Sequence, residues 1–412
     1  MSHAPTTPST APETLYLIGT SGHPNYGDEC TTAAWLRYLA RARPDDDVWL
    51  DCPDPGLASH LFHGLHPRLH TTDVVWRVVW ETTDMEPADA AAHVDRVLTD
   101  LGTPRIDLGL LGARRADTVH LLGGGYVNAK WPTHMMLMRA ALRLRDLGGA
   151  RVVATGQGLV PPVDPGGLRE YFDSFDHASV RDAPSAELTG AGLVCDDVLL
   201  ALGSLPGYRE GTYAAEVAQG DVWVCLQNDM SSQETFEAAL SAVRTALESP
   251  ELAGRPVRYL EALPGVDRIA YDRLSDLIPE EHFLPFVQLW ENGFPARAGQ
   301  TWLTSRFHLH LLAAASGAEG TALVVSEDYY QPQHQSLVDA GTGWSVTPAG
   351  SKSIERPGSA RSFRAEARNL HEAKLEEARM LYPATPQDPS TPPSLERPDP
   401  PKRGAAGWLR RT

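Results

Sequence analysis

The chain has 412 residues, 42% hydrophobic and 22% charged, a globular composition too long for one ordinary core and long enough for two α/β domains. A net charge of −17 excludes general affinity for nucleic-acid backbones or anionic lipid surfaces, so an anionic substrate has to be met by individually placed cations. Apolar runs of membrane-spanning length are absent and residues 1–13 lack the basic and apolar regions of a leader, which predicts a cytoplasmic protein that is not transmembrane.

Residues 15–18 form a short apolar run that enters Gly19-Thr20-Ser21-Gly22, then a polar loop and an apolar-periodic stretch at 33–39. That is strand, glycine-rich loop, helix. The order recurs at 117–122, Gly123-Gly124-Gly125 and the periodic segment 135–147, and a third apolar run, 151–155, ends in Gly156-Gln157-Gly158. Short strands are predicted at 178–180 and 192–195. Strands that alternate with helices and end in glycine imply a parallel sheet whose C-terminal strand edges carry a site.

Residues 201–213 contain Gly and Pro and read as an interdomain connection. A second α/β series follows, with strands at 222–226, 257–260 and 322–325 and helices at 233–247, 270–277 and 308–315. The expected domains are therefore 14–205 and 215–350. Apolar residues spaced along 365–381 predict an amphipathic helix, assigned to 363–382, that bridges the domains. The Pro-rich charged segment 383–412 predicts a disordered tail.

Cys30, Cys52, Cys195 and Cys225 are widely spaced and form no CxxC or Cys/His metal pattern, so they read as free thiols. Neither a metal nor a cofactor is called for. HExxH, GxSxG and Walker A patterns are absent, which disfavours zinc hydrolases, serine hydrolases and P-loop ATPases. Trp76 and Trp80 lie four apart among valines and read as a core pair rather than a sugar platform.

Ser305-Arg306-Phe307-His308 precedes an apolar helical run. A serine in that place reads as an N-cap, which puts Arg306 and His308 in the first turn, where free N–H groups and the positive end of the helix dipole favour a phosphate or carboxylate. Arginine adds a planar fork and histidine a proton donor. Spacing alone equally allows a surface arginine and a packed histidine. His310, two residues from His308, is off its face and reads as structural.

These four residues, leading into an apolar helix, resemble the signature of the polysaccharide pyruvyl transferase family. In the same order, Asn25-Tyr26-Gly27-Asp28 resembles its Asn-x-Gly-Asp loop, Gly123-Gly124-Gly125 its glycine triplet, Gly156-Gln157-Gly158 its Gly-Gln turn, and Ser179-Val180-Arg181-Asp182 with Ser185 its strand-end motif. The resemblance covers residues 15–340. It departs at Glu327-Asp328-Tyr329-Tyr330-Gln331-Pro332-Gln333-His334, where the family often has a lysine, and at Asp196-Asp197, where Asp-Pro is typical, which leaves the role of Asp197 open.

The resemblance implies two Rossmann-like domains facing across a cleft, a GT-B-like α/β fold, and a phosphoenolpyruvate site made by Arg181, Arg306 and His308, with Ser305 beside them. It implies transfer of the pyruvyl group as a ketal to a sugar, glycan or lipid-linked saccharide, with no nucleic acid involved. Protonating the methylene carbon needs a general acid, assigned to His308, and the acceptor hydroxyl needs a base, assigned to Asp28, which serves equally well as a helix cap. Asn25, Gly124, Gly125, Asn128 and Gln157, with Lys130 and His134, are expected to line the cleft. Two other readings stay open: a GT-B glycosyltransferase with a nucleotide-sugar donor, and a catalytically silent homologue acting as a binding partner.

Overall fold

The computed structural model describes residues 11–102, 105–202, 221–360 and 362–384. Most of the expected connection 201–213, and the expected tail from 385 onward, lie outside the described residues.

The first half is a sheet of β1 (Thr14–Ile18), β2 (Asp47–Asp51), β3 (Leu69–Thr72), β4 (Thr118–Leu121), β5 (Arg151–Gln157), β6 (His177–Val180) and β7 (Gly192–Leu193), in the order β3-β2-β1-β4-β5-β6-β7. Every described pairing in it is parallel. Leu15, Leu17, Val119, Val152 and Val153 are fully buried, because helices cover both faces. The second half repeats the plan with β8 (Val222–Cys225), β9 (Val257–Leu260), β10 (Phe283–Leu284), β11 (Thr301–Thr304), β12 (Glu319–Leu323) and β13 (Ser345–Thr347), in the order β10-β9-β8-β11-β12-β13. Strand order reverses direction beside β1 and β4, and again beside β8 and β11. Such a switch point opens a crevice at the carboxyl ends of the strands, where doubly wound sheets bind ligands. The two Rossmann-like halves face each other across a cleft built from those ends, the GT-B-like arrangement.

Local sequence explains the elements that border the cleft. Asn25 is extended (φ −89°, ψ 110°), so the first helix begins at Tyr26 and runs Tyr26–Ala42, well ahead of the expected stretch 33–39. Ser232 caps the helix Gln233–Leu247, accepting from the Thr235 N–H. Asp182 does the same for Ala183–Thr189 through the Ser185 N–H at 2.8 Å. Each such cap satisfies a backbone donor that has no partner inside the helix. The expected helix 270–277 is observed as Arg268–Leu274.

One apolar cluster runs unbroken from Leu15 and Trp35 in the first half to Phe307 and Leu312 in the second and on to Ala378 and Leu381. The long helix Phe363–Leu381 touches the helix Phe307–Ala315 and the turn Asp197–Ala201, so it packs on both halves. It is fixed by ions as well as by apolar contact. Lys374, fully buried, reaches Asp197 at 2.8 Å and Glu377 at 2.7 Å, and Glu377 meets His177 at 2.8 Å. Asp197 also accepts from the Trp35 indole, the Gly123 N–H and the Thr155 hydroxyl, so this residue is the centre of a buried network. Burial alone would lift the Glu377 carboxyl, but His177 and Lys374 outweigh it and hold it down at about 2.

Candidate active site

The cleft encloses about 580 Å³ and is lined from both halves by residues that follow strand ends. Asn25, Gly27 and Asp28 follow β1, Asp54 follows β2, Gly125 and Tyr126 follow β4, and Arg181 follows β6. From the second half come Asp229 after β8, Arg306 and His308 after β11, and Tyr329, Tyr330 and Gln333 after β12.

Arg181 is almost fully buried. One guanidinium nitrogen donates to Asp196 at 2.8 Å, another to the Gln333 side-chain oxygen at 3.2 Å, and the plane lies 4.1 Å over the Phe307 ring. Its Nε–H has no hydrogen-bond partner among the described residues. The room for this group is made by glycine: a methyl on Gly158 would overlap Arg181 Nε, and one on Gly125 would stand 2.8 Å from its Nη2. Arg306 donates to Asp267 through Nη2 at 2.5 Å and Nε at 3.2 Å, and to Asp229 through Nη2 at 3.2 Å. The Asp267 side chain is fully buried, whereas that of Asp229 is 37% exposed.

His308 packs against Gly27, where any Cβ would overlap the imidazole. The amino ends of the helices Tyr26–Ala42 and Phe307–Ala315 thus meet across the cleft. His308 Nε2 lies 3.4 Å from Asp196, and no described residue makes a hydrogen bond with it. Burial would raise the Asp196 carboxyl, but the His308 and Arg181 charges and the Val198 N–H reverse that and leave it well below the usual range. Asp28 goes the other way. Burial lifts it above the usual carboxylate range against the pull of His308, Arg181 and Arg306, with a further push from Asp196. Its carboxylate accepts from the Asn25 amide at 3.0 Å, and no side chain caps that helix.

Asn25, Asp28, Gly125, Arg181, Arg306, His308 and His134, all singled out from sequence, line this one cleft. The remaining sequence candidates stand behind its wall. Ser305 is not the cap: its N–H still pairs with Cys225 O, continuing the strand, so Arg306 takes the N-cap position and the Ser305 hydroxyl accepts from the Gln227 N–H. Gln157 donates to the Leu121, Leu122 and Thr155 carbonyls, Asn128 donates to Gly125 O and accepts from the Lys130 N–H, and Gly124 O accepts from the Gly158 N–H. These three shape the loops that present Gly125 and Arg181. Lys130 pairs with Asp328 at 2.6 Å.

The tryptophan pair divides. Trp76 is 1% exposed, but Trp80 is 42% exposed and faces the cleft, because the helix Val74–Trp80 ends at its rim. His310 is buried against His334 and Thr342, a structural residue as read. The four cysteines are free and buried. Sequence reasoning missed Asp196, Asp229, Asp267 and Gln333. An Asp in the loop that follows a strand facing the cleft was the available signal for Asp196 and Asp229. Among the described residues, no group of three or more His, Cys, Asp or Glu is placed to hold a metal ion, and no helix is long and apolar enough to cross a membrane.

Similar folds occur among solved structures at low identity. The S. aureus MnaA–UDP complex is 12% identical, with 90% of this chain and 89% of that chain covered and a TM-score of 0.49. Os79 from O. sativa, in complex with UDP and deoxynivalenol-3-glucoside, is 11% identical over 90% of this chain and 99% of its own, with a TM-score of 0.47. Arabidopsis thaliana UGT89C1 complexed with UDP is 10% identical over 90% and 93%, with a TM-score of 0.44. No curated protein matches the sequence. The family model described as polysaccharide pyruvyl transferase matches residues 25–327. That span begins at the Asn25 loop, takes in Arg181, Arg306 and His308, and ends in the loop before Tyr329; the chain belongs to the polysaccharide pyruvyl transferase family.

Proposed function

We propose that this protein transfers the pyruvyl group of phosphoenolpyruvate to two hydroxyls of a sugar, glycan or lipid-linked saccharide as a ketal, releasing phosphate. One observation carries the reading: guanidinium groups from opposite halves, Arg181 and Arg306, line one cleft with an imidazole whose Nε2 has no hydrogen-bond partner among the described residues. Phosphoenolpyruvate carries a carboxylate and a phosphate on one three-carbon frame, and two planar forks from facing walls match two anionic groups.

The chemistry needs little else. His308 donates a proton to the methylene carbon, which becomes the methyl group, and positive charge develops at the neighbouring carbon. One acceptor hydroxyl attacks that carbon. The carbon–oxygen bond to phosphate then breaks, and the second hydroxyl closes the ketal. Of the two hydroxyl protons released, one restores His308 and the other leaves with phosphate. Asp28, whose carboxyl is raised from its ordinary value by burial, is assigned as the relay.

The test is phosphate release from phosphoenolpyruvate with a panel of saccharide acceptors, with mass spectrometry on the product. In heavy water the new methyl group should carry solvent deuterium. Thermal protection by UDP without protection by phosphoenolpyruvate would move the donor to a nucleotide sugar, and binding without turnover on any acceptor would leave a binding protein.

A further inference from the structure

Apart from Arg181, no lysine or arginine among the described residues lines the first half's share of the cleft wall. It consists of aromatic rings with a sparse polar rim, among them Asp54, His23 and Thr20. Trp76 is locked by its indole N–H on Gly19 O at 2.9 Å, and its ring stands edge-on to His134 with centroids 4.9 Å apart. Trp131 stacks on the other side of that cluster, nearly parallel to His134 at 6.0 Å. Trp80 projects from this backing, 5.7 Å from Trp76, and is 42% exposed. Every valine on its helix is buried, so the helix has already hidden its apolar face and this indole is left over.

We propose that Trp80, backed by Trp76, is the platform on which an uncharged pyranose ring of the acceptor stacks, an assignment that rests on the transfer reading above. A pyranose presents C–H bonds on a face and hydroxyls around its edge, which suits a ring platform in a cleft that also offers carboxylate, imidazole and hydroxyl groups. The missing cations decide the charge class. Asp54 repels an acidic sugar or a diphosphate, and apart from Arg181, which the transfer reading gives to the donor, no lysine or arginine among the described residues lines that wall to offset it.

Saturation-transfer NMR with methyl glucoside, methyl galactoside, methyl mannoside and methyl glucuronide tests this on the whole protein. At least one neutral glycoside should bind, better than the glucuronide. Trp80→Ala should weaken it on the order of fivefold to tenfold and Trp80→Phe much less, with phosphoenolpyruvate affinity by calorimetry unchanged in both. Trp80 is exposed enough that its loss should leave the melting temperature nearly where it was. Equal glycoside binding by Trp80→Ala and wild type, preference for the glucuronide, or no transfer to any of the four overturns the platform. A protein that shows the Trp80 effect but does not bind phosphoenolpyruvate keeps the platform and loses the donor.

Discussion

Gly27 and His308 touch where the leading helices of the two halves meet, and the contact is so close that a Cβ at position 27 would overlap the imidazole. Gly27→Ala should push the imidazole aside while leaving the helix, for which alanine is the better former, intact. Since a displacement of an ångström at a reacting group costs on the order of 100-fold, turnover should fall by about that factor with little change in melting temperature. His308→Gln addresses the proton itself: phosphoenolpyruvate affinity should largely survive, and turnover at saturating substrate should drop on the order of 10²–10⁴-fold. Turnover near wild type would leave His308 as a packing residue. At this scale the sequence was partly legible. Arg181, Arg306 and His308 stand at strand ends and could be picked out, but their carboxylate partners, Asp196, Asp229 and Asp267, come from separate loops and no local pattern ties them together.

Between the helices Phe307–Ala315 and Tyr330–Asp339 the rings of His310 and His334 share a hydrogen bond at 3.3 Å. With His334 Nε2 donating to Ser305 O, its Nδ1 accepts from His310, and His310 Nε2 accepts from Thr342. Both rings are therefore neutral. Burial holds His334 down at about 4 against an ordinary 6.5 and pushes His310 down as well. A depressed folded-state value means the stability is present above 6.5 and lost as pH falls toward 4, worth roughly 3 kcal/mol for His334 if the shift is taken whole. His334→Gln should flatten that part of a urea-denaturation pH profile. The terminal helix offers a second test. Lys374→Met would leave the fully buried Asp197 carboxylate without its cation and Glu377 with His177 alone, and should cost about 3–5 kcal/mol in urea melts. Element boundaries were misread where tertiary contacts overrule local signals: Ser305 looks like a cap, but its N–H is still held by Cys225 O of β8, one residue past the end of β11. Trp76 and Trp80 each follow a pair of valines, and it is the rim of the cleft that tells them apart.

On the scale of the whole molecule, two parallel sheets with matching strand order turn their carboxyl ends toward one another; the glycines after the first half's strands pointed to the strand ends, and only the family resemblance implied that the second half faces them across a cleft. The electrostatic state of that cleft was hidden. The protein carries a net charge of −17, and its cleft arginines already hold carboxylates of the same chain. The resting cleft is in effect an ion exchanger loaded with its own counterions. On the proposed reading, an arriving anion would have to compete with these aspartates for the guanidinium groups, so its affinity would be the difference between two pairings. Asp229, being 37% exposed, is the counterion with somewhere to go. Asp229→Asn should therefore tighten phosphoenolpyruvate binding, by roughly two- to fivefold given the modest strength of a partly exposed pair, and should slow phosphate release as measured by stopped flow.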